Sequence, residues 1–150
     1  MENVKKIMFP VDLSGVSPKI AETALAMAKK FDAELHLLLV AETLDQYAYF
    51  EGSALSFEKL YGEIQAAAEK QLKKFQDQYC QGCSKLKSVI LRGDPASEIV
   101  NYIRREDIDL VVMGTHGRKG LDRALFGSVA EAVVREAPVP VLTVNPYRKK

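Results

Sequence analysis

Residues 109–128 read Asp-Leu-Val-Val-Met-Gly-Thr-His-Gly-Arg-Lys-Gly-Leu-Asp-Arg-Ala-Leu-Phe-Gly-Ser. The apolar run at the start of this stretch predicts a buried β-strand. Gly114 and Gly117 follow the run, and after nine further residues the pair Gly127-Ser128 opens a segment with helical periodicity. A strand that passes through a glycine-rich turn into a helix is typical of an α/β domain with a parallel sheet.

The rest of the chain repeats this alternation of strands and helices. Five apolar segments rich in β-branched residues are predicted as strands: Lys5–Val11, Glu34–Ala41, Leu86–Leu91, Asp109–Met113 and Val139–Val144. Their apolar residues are continuous rather than alternating, which is typical of strands that are covered on both faces.

Four segments with helical periodicity separate the strands. They begin at Ser17-Pro18, at Ser56 (running to Tyr79), at Asp94-Pro95 and near Ser128. A serine or aspartate followed by proline predicts an N-cap and the first helical residue. The alternation predicts an α/β fold, a parallel five-stranded sheet with right-handed crossovers and helices on both faces. Ligands of such sheets bind beyond the carboxyl ends of the strands, where the winding direction reverses.

The composition is that of an ordinary globular protein and predicts one domain over residues 1–150. Hydrophobic residues make up 47% of the chain and charged residues 27%. Because 21 Lys and Arg nearly balance 20 Asp and Glu, we expect no binding to nucleic acid or to an anionic membrane. The charged start and the short apolar runs predict no targeting or membrane-spanning segment. Two cysteines do not make a disulfide framework. With no export signal expected either, we expect a cytoplasmic protein.

The glycines around residues 114–128 have the composition of a phosphate-binding turn. Glycine permits close backbone approach, so that successive N–H groups can point at one anion. The helix predicted to begin at Ser128 adds its N-terminal N–H groups and its dipole. Basic residues of the same loop could neutralise further phosphate charge; they are Arg118, Lys119 and Arg123. A bulky residue at Gly117 or Gly127 is therefore expected to occupy the phosphate position. The alternative is a set of turn glycines without a ligand.

Three stretches of the chain resemble the universal stress protein family. The most specific is the segment from Gly114 through Val144, which looks like the ATP-binding signature and last strand of that family. Supporting stretches are Ile-Met-Phe-Pro-Val-Asp-Leu-Ser at residues 7–14 and Gly-Asp-Pro-Ala-Ser-Glu-Ile at residues 93–99. The resemblance covers nearly the whole chain. It implies a Rossmann-like fold of the adenine nucleotide alpha hydrolase type, with strand order 3-2-1-4-5.

The resemblance also implies a nucleotide site, with ATP as the ligand and with Mg²⁺ or Mn²⁺ as an optional companion. Adenine and ribose would be framed by residues at the ends of three strands, Pro10, Val11, Asp12, Val40, Met113 and Gly114. Asp12 would accept a hydrogen bond from the ribose. The phosphates would be held mostly by backbone N–H groups of Gly117, Arg118, Gly127, Ser128 and Val129.

The last predicted strand, Val139–Val144, contains Pro140. Because proline cannot donate to a ladder, we expect this strand at the edge of the sheet. An exposed apolar edge favours pairing with a second copy of the chain. Members of the family usually dimerise through the last strand, so the resemblance implies a homodimer as well.

The function that the resemblance implies is that of an ATP-binding regulatory or sensor protein of the stress response. The sequence contains neither a Walker A motif nor the dinucleotide fingerprint Gly-x-Gly-x-x-Gly, so we expect at most weak ATPase activity. No catalytic residue is assigned. Two alternatives remain, a slow ATPase or autophosphotransferase and an interaction module that does not depend on nucleotide.

Signals for other kinds of site are not interpreted as functional. Asp12 lacks the second acidic residue and the lysine that a phosphoacceptor site of the receiver type would need. Cys80 and Cys83 have redox or metal spacing, but they follow a predicted helix rather than open one, and no second pair completes a zinc site. His36 lies inside a predicted strand, and His116 is expected to be a solvated loop residue.

Overall fold

The computed structural model describes residues 1, 3–41, 54–116 and 127–148, with residues 54–57 described by their backbone alone. The elements are β1 (Lys6–Val11), α1 (Ser17–Phe31), β2 (Glu34–Ala41), α2 (Ala54–Tyr79), β3 (Leu86–Arg92), α3 (Pro95–Glu106), β4 (Leu110–Gly114), α4 (Ser128–Glu136) and β5 (Val141–Val144). Every predicted strand and helix is present. Their ends differ from the predicted ones by at most two residues.

The five strands form one sheet in the order β3-β2-β1-β4-β5, and the paired strands run parallel. The predicted Rossmann-like α/β fold and strand order are thus confirmed. From β1 the chain winds outward to β2 and β3, and it then crosses back to β4 and β5. The winding direction reverses between β1 and β4, which places the switch point there.

Two apolar layers sandwich the sheet because successive side chains of a strand point to opposite faces. Ile7 and Phe9 of β1 belong to the cluster that packs against α1 and α2. Met8, between them, belongs to the cluster that packs against α3 and α4. Continuous apolar strands therefore serve both layers, as the sequence pattern predicts.

The last strand is shorter than predicted, and Pro140 precedes it. The strand begins at Val141, and the Pro140 carbonyl accepts a hydrogen bond from the Val111 N–H at 3.0 Å. Proline can offer a carbonyl but no N–H, so it fits at the start of the strand and not within it. The edge position itself is confirmed, because β5 pairs with β4 alone in the described sheet.

The cap predicted at Asp94 is confirmed. One carboxylate oxygen accepts hydrogen bonds from the N–H of Ser97 at 3.0 Å and from its hydroxyl at 2.9 Å. These two bonds lower the pKa of Asp94 below its ordinary value. Residues 93–99 thus form the turn after β3 and the capped start of α3.

Polar groups are also buried under α3, around His36 of β2. His36 is 1% exposed, and its Nδ1 lies 2.7 Å from the hydroxyl of Tyr102. Its Nε2 lies 2.5 Å from a carboxylate oxygen of Glu34. Burial lowers the pKa of His36, and the Glu34 carboxylate partly opposes that shift. His36 is thus a structural residue, as expected from its place in a strand.

The lowered pKa of His36 predicts a pH-dependent stability. Between the ordinary histidine pKa of about 6.5 and the lower folded value, the unfolded chain binds more protons than the folded one. The free energy of unfolding should therefore fall as the pH is lowered from 7 to 5. His36→Gln should flatten this dependence, measured by urea unfolding at each pH. Glu34→Gln, which removes the carboxylate that favours the charged ring, should steepen it. Parallel curves for the native chain and His36→Gln would refute this explanation.

Candidate functional site

The crevice between β1 and β4 opens at Pro10. The carbonyl of Lys6 accepts a hydrogen bond from the N–H of Asp109, so Lys6 faces the β4 side of β1. Because alternate residues of a strand bond to the same neighbour, Pro10 also faces β4. Pro10 has no N–H and cannot continue that ladder. The described pairing of β1 with β4 ends at Met8, whereas its pairing with β2 continues to Val11. Proline in a central strand thus separates β1 and β4 at their carboxyl ends.

Asp12 organises the turn between β1 and α1. Its Oδ1 accepts a hydrogen bond from the Ser14 N–H at 3.0 Å and another from the Ser17 hydroxyl at 3.0 Å. The predicted role of Ser17 as N-cap is wrong, because Val16 occupies the cap and Ser17 is the first helical residue. Ser17 is buried, and its hydroxyl bonds to Asp12 instead of to the helix.

The same turn contains a strained backbone position. Leu13 has a φ of 60°, the left-handed region that a bulky residue rarely adopts. This conformation reverses the chain so that the N–H of Ser14 points back at Asp12. Strain of this kind persists where surrounding contacts enforce it, and it clusters at functional sites.

Gly114 ends β4 next to the same crevice. A Cβ atom at this position would lie 2.4 Å from Cδ1 of Ile20 and 2.9 Å from the backbone oxygen of His116. The close approach of α1 and of the chain after β4 therefore requires glycine. It brings the first turns of α1 against the carboxyl end of β4.

The N-terminus of α4 is anchored to that edge by a backbone hydrogen bond. The N–H of Gly127 donates to the carbonyl of Thr115 at 2.7 Å, directly after β4. Gly127 is the N-cap, and no side chain caps the helix within the described residues. The first N–H groups of a helix have no partner inside it, so those of Ser128, Val129 and Ala130 stand at its start. With the helix dipole they make a place for an anion one strand away from Asp12.

The structure brings most of the predicted site residues to this edge of the sheet. Met113 belongs to the cluster covered by α3 and α4, and Val40 and Val129 pack against it. Pro10 lies on the same face as Met8, a member of that cluster, because side chains alternate along a strand. Pro10 and Val40 are half-buried, whereas Val11 and Met113 are buried and can offer only their backbone. Gly117 and Arg118 lie outside the described residues, as do Lys119 and Arg123.

At Gly127 the structure adds a second reason for the predicted mutational effect. A Cβ atom there would lie 3.1 Å from the Thr115 carbonyl oxygen. A side chain would thus press on the backbone that anchors α4, and we expect weaker anion binding through displacement of the helix as well.

His116 is not the solvated residue that its loop position predicts. It is 7% exposed, its Nδ1 lies 2.9 Å from the hydroxyl oxygen of Thr115, and its ring meets Tyr147 edge to face at 5.4 Å. The interpretation also missed Lys19, whose ammonium donates to two carbonyls of the C-terminal segment. The carbonyls that Lys19 contacts, and the Tyr147 ring that covers His116, are distant in sequence, so no local signal indicates them.

The cysteine pair lies at the opposite, amino edge of the sheet. Cys80 follows the end of α2, and with Cys83 it borders a polar groove of about 460 Å³ that reaches the start of β3 at Leu86. Both are free thiols. Burial and the neighbouring Cys83 raise the pKa of Cys80 to about 11, so its thiol is a poor nucleophile and metal ligand at neutral pH.

Among the described residues, no group of three or more histidine, cysteine or acidic side chains could hold a metal ion. None of the helices in the described part combines the length and apolar character needed to cross a membrane.

Comparison with known proteins shows the same family along the whole chain. The sequence model of the Universal stress protein family matches residues 3–145. Universal stress protein MJ0531 of Methanocaldococcus jannaschii is 39% identical over 147 residues, which cover 97% of this chain and 85% of that protein.

Solved structures agree in fold. Universal stress protein UspA from Lactobacillus plantarum has a TM-score of 0.78 at 26% identity and covers 95% of this chain and 98% of its own. The protein MJ0577 of M. jannaschii has a TM-score of 0.77 at 29% identity, with 98% of both chains covered. A universal stress protein in complex with cAMP has a TM-score of 0.62 at 21% identity and covers 95% of this chain and 97% of its own, which shows the shared fold alone.

Proposed function

The chain belongs to the universal stress protein family, and from that premise we propose that it is a stress-response regulator that binds ATP. The site is the crevice at the carboxyl ends of β1 and β4. The protein acts as a sensor homodimer with little or no turnover of the nucleotide. Its two free cysteines suit the reducing cytoplasm.

One observation carries the nucleotide proposal, the anchoring of α4 at the switch point. The hydrogen bond from Gly127 to Thr115 sets the uncapped N-terminus of α4 at the carboxyl end of β4. Helix N-termini in this position bind phosphate through N–H groups and the helix dipole. The N–H groups of Ser128 and Val129 would hold the phosphates, with Gly117 and Arg118 of the preceding loop.

Half-exposed strand ends next to the phosphates suit a nucleoside. Pro10 and Val40 lie on one face of the sheet and leave apolar surface on which adenine can pack. Asp12 ends β1 beside them and would accept a hydrogen bond from the ribose. Val11, Met113 and Gly114 would complete the wall through their backbone. A protein of this fold has been crystallised with cAMP, which is also an adenine nucleotide.

The part that Asp12 plays in the turn supports low turnover. Phosphoryl transfer needs a group that orients the attacking water or hydroxyl. Oδ1 of Asp12 already accepts two hydrogen bonds that fold the turn into α1. Its first role is therefore to shape the site. A Mg²⁺ or Mn²⁺ ion would enter with the phosphates of ATP.

Isothermal titration calorimetry with ATP tests the proposal. We expect saturable binding below millimolar ligand and release of ADP slower than one turnover per minute, on the order of the slow intrinsic rates of unassisted nucleotidases. No heat of binding at millimolar ATP would refute the nucleotide site. Rapid ADP release that is lost in Asp12→Ala, with binding retained, would establish the ATPase alternative instead.

The homodimer proposal rests on the free edge of β5. The carbonyls of Pro140 and Val144 accept hydrogen bonds from N–H groups on the β4 side of the strand. Because alternate residues of a strand face the same neighbour, Val141 and Thr143 direct their N–H groups outward. All four residues of β5 are half-buried, and its outer edge has no partner strand in the described sheet. Pairing with a second β5 would satisfy both N–H groups.

Thr143→Pro should therefore abolish the dimer and leave the fold intact. Proline removes the outward N–H of β5 without touching the ladder to β4, and edge strands tolerate it. Thr143→Val keeps the N–H and serves as the matched control. Sedimentation equilibrium should show a dimer for the control and a monomer for Thr143→Pro. Two dimers of equal stability would exclude pairing through β5.

A further inference from the structure

Residues 145–148, which we call the strap, follow β5 and fold back over the start of α1. The side-chain oxygen of Asn145 accepts a hydrogen bond from the Tyr147 N–H at 3.0 Å. The Lys19 ammonium donates to the carbonyls of Pro146 and Arg148, each at 2.9 Å. Pro146 is buried. The strap is thus fastened to α1, the helix that follows the Asp12 turn.

The strap reaches the chain after β4 through Tyr147. Its ring meets the ring of His116 edge to face, with centroids 5.4 Å apart and planes at 68°. Such aromatic pairs stabilise a structure by more than the burial of their surface alone would give. His116 is 7% exposed, and its Nδ1 lies 2.9 Å from the hydroxyl oxygen of Thr115.

Thr115 connects this contact with α4. Its N–H donates to the carbonyl of Val144 at 2.9 Å, and its own carbonyl accepts the N–H of Gly127 at 2.7 Å. One residue thus joins the end of β5, the His116 ring and the N-cap of α4. A displacement of His116 would be transmitted to Thr115 and from there to Gly127.

We infer that Tyr147 is a positioning residue of the proposed nucleotide site. Acting through His116 and Thr115, it holds the N-terminus of α4 at the carboxyl end of β4. Its effect on ATP rests on the proposed function, whereas its hold on Gly127 does not require a ligand. Because coupling between two sites is reciprocal, ATP bound at α4 should in turn tighten the strap.

The ligand-free arm of the test measures amide hydrogen exchange at Gly127 by NMR. Tyr147→Leu removes the ring from His116, and Tyr147→Phe keeps it as the matched control. We expect exchange at Gly127 to become roughly fivefold faster or more in the leucine variant, through easier local opening. The phenylalanine variant should exchange like the native chain. Equal exchange in the two variants would overturn the inference, whether or not the protein binds ATP.

The ligand arm measures ATP affinity of the same variants by calorimetry. Tyr147→Leu should weaken binding by roughly fivefold or more, the low end of couplings between linked sites, and Tyr147→Phe should restore it. Thr115→Val, which removes the hydroxyl beside His116, should weaken binding too. The double variant should lose less than the two single losses combined, because both act on one chain of contacts. Fully additive losses would contradict the inference.

The exchange and affinity measurements distinguish failure of the inference from failure of the proposed function. A native chain that does not bind ATP would refute the proposed function, and exchange at Gly127 would still decide the inference. A native chain that binds ATP as tightly as Tyr147→Leu does would refute the inference and leave the nucleotide site standing.

Discussion

Ser128→Pro should weaken ATP binding by roughly tenfold to a hundredfold, because a hydrogen bond to a charged group is worth about 1.5–3 kcal/mol. Ser128 is the first residue of α4, where the N–H has no partner within the helix. Proline removes this N–H from the proposed phosphate contacts and leaves the peptide carbonyl in place.

The helix itself should tolerate this substitution. Proline is favoured at the first helical position because its fixed φ suits the helix. The residue before a proline must be extended, and Gly127 already has φ −64° and ψ 148°. The unfolding temperature should therefore change little, so a loss of affinity reports on the missing N–H.

Ser128→Ala is the matched control because it removes the hydroxyl and keeps the N–H. Its affinity for ATP should lie between those of the native chain and of Ser128→Pro. If calorimetry gives the same affinity for the alanine and proline variants, the N–H of residue 128 does not contact the ligand.

Gly114→Ala should lower the free energy of unfolding by about 1–3 kcal/mol, the usual cost of overpacking a filled position. The added Cβ would lie 2.4 Å from Cδ1 of Ile20 and 2.9 Å from the backbone oxygen of His116. Ile20 can shift the end of its side chain, but the His116 carbonyl belongs to the backbone that precedes the proposed phosphate loop. We therefore expect ATP affinity to fall along with stability, as urea unfolding and calorimetry would show.

Two further variants isolate the cause at Gly114. Ile20→Val removes Cδ1, so the double variant with Gly114→Ala should lose less stability than the two single variants combined. Gly62→Ala adds the same methyl group within α2, where it meets no atom within 4 Å beyond the adjoining turns of the helix, and it should stabilise the chain by about 1 kcal/mol. A Gly114→Ala variant that unfolds at the same urea concentration as the native chain would contradict the close packing.

The fold could be predicted from the sequence because its signals are local and agree with one another. Apolar runs buried on both faces mark the strands, and the Asp94 cap lies three residues from the Ser97 N–H that it accepts. The edge position of β5 followed from a single proline. The first residue of β5 could not be predicted in this way. Pro140 accepts a hydrogen bond from the Val111 N–H through its carbonyl, but it lies just before the strand begins.

The site was harder to predict from the sequence because its geometry depends on contacts between residues that are distant in the chain. Ser17 has the sequence context of a cap, but the carboxylate of Asp12 competes for its hydroxyl. The contacts of Lys19 with the strap span 127 and 129 residues, and nothing in its neighbourhood indicates them. The burial of His116 depends on the packing of a segment that follows the last strand.

In the proposed function, backbone N–H groups at the start of α4 bind the phosphates of a nucleotide. Titration of the ¹⁵N-labelled protein with ATP, followed through the amide resonances, tests it most directly. We predict that the largest shifts fall on Ser128, Val129 and Ala130 and that adenosine, which has no phosphates, leaves those three amides nearly unchanged. Shifts of equal size with adenosine, or ATP-dependent shifts confined to other parts of the sheet, would contradict the claim.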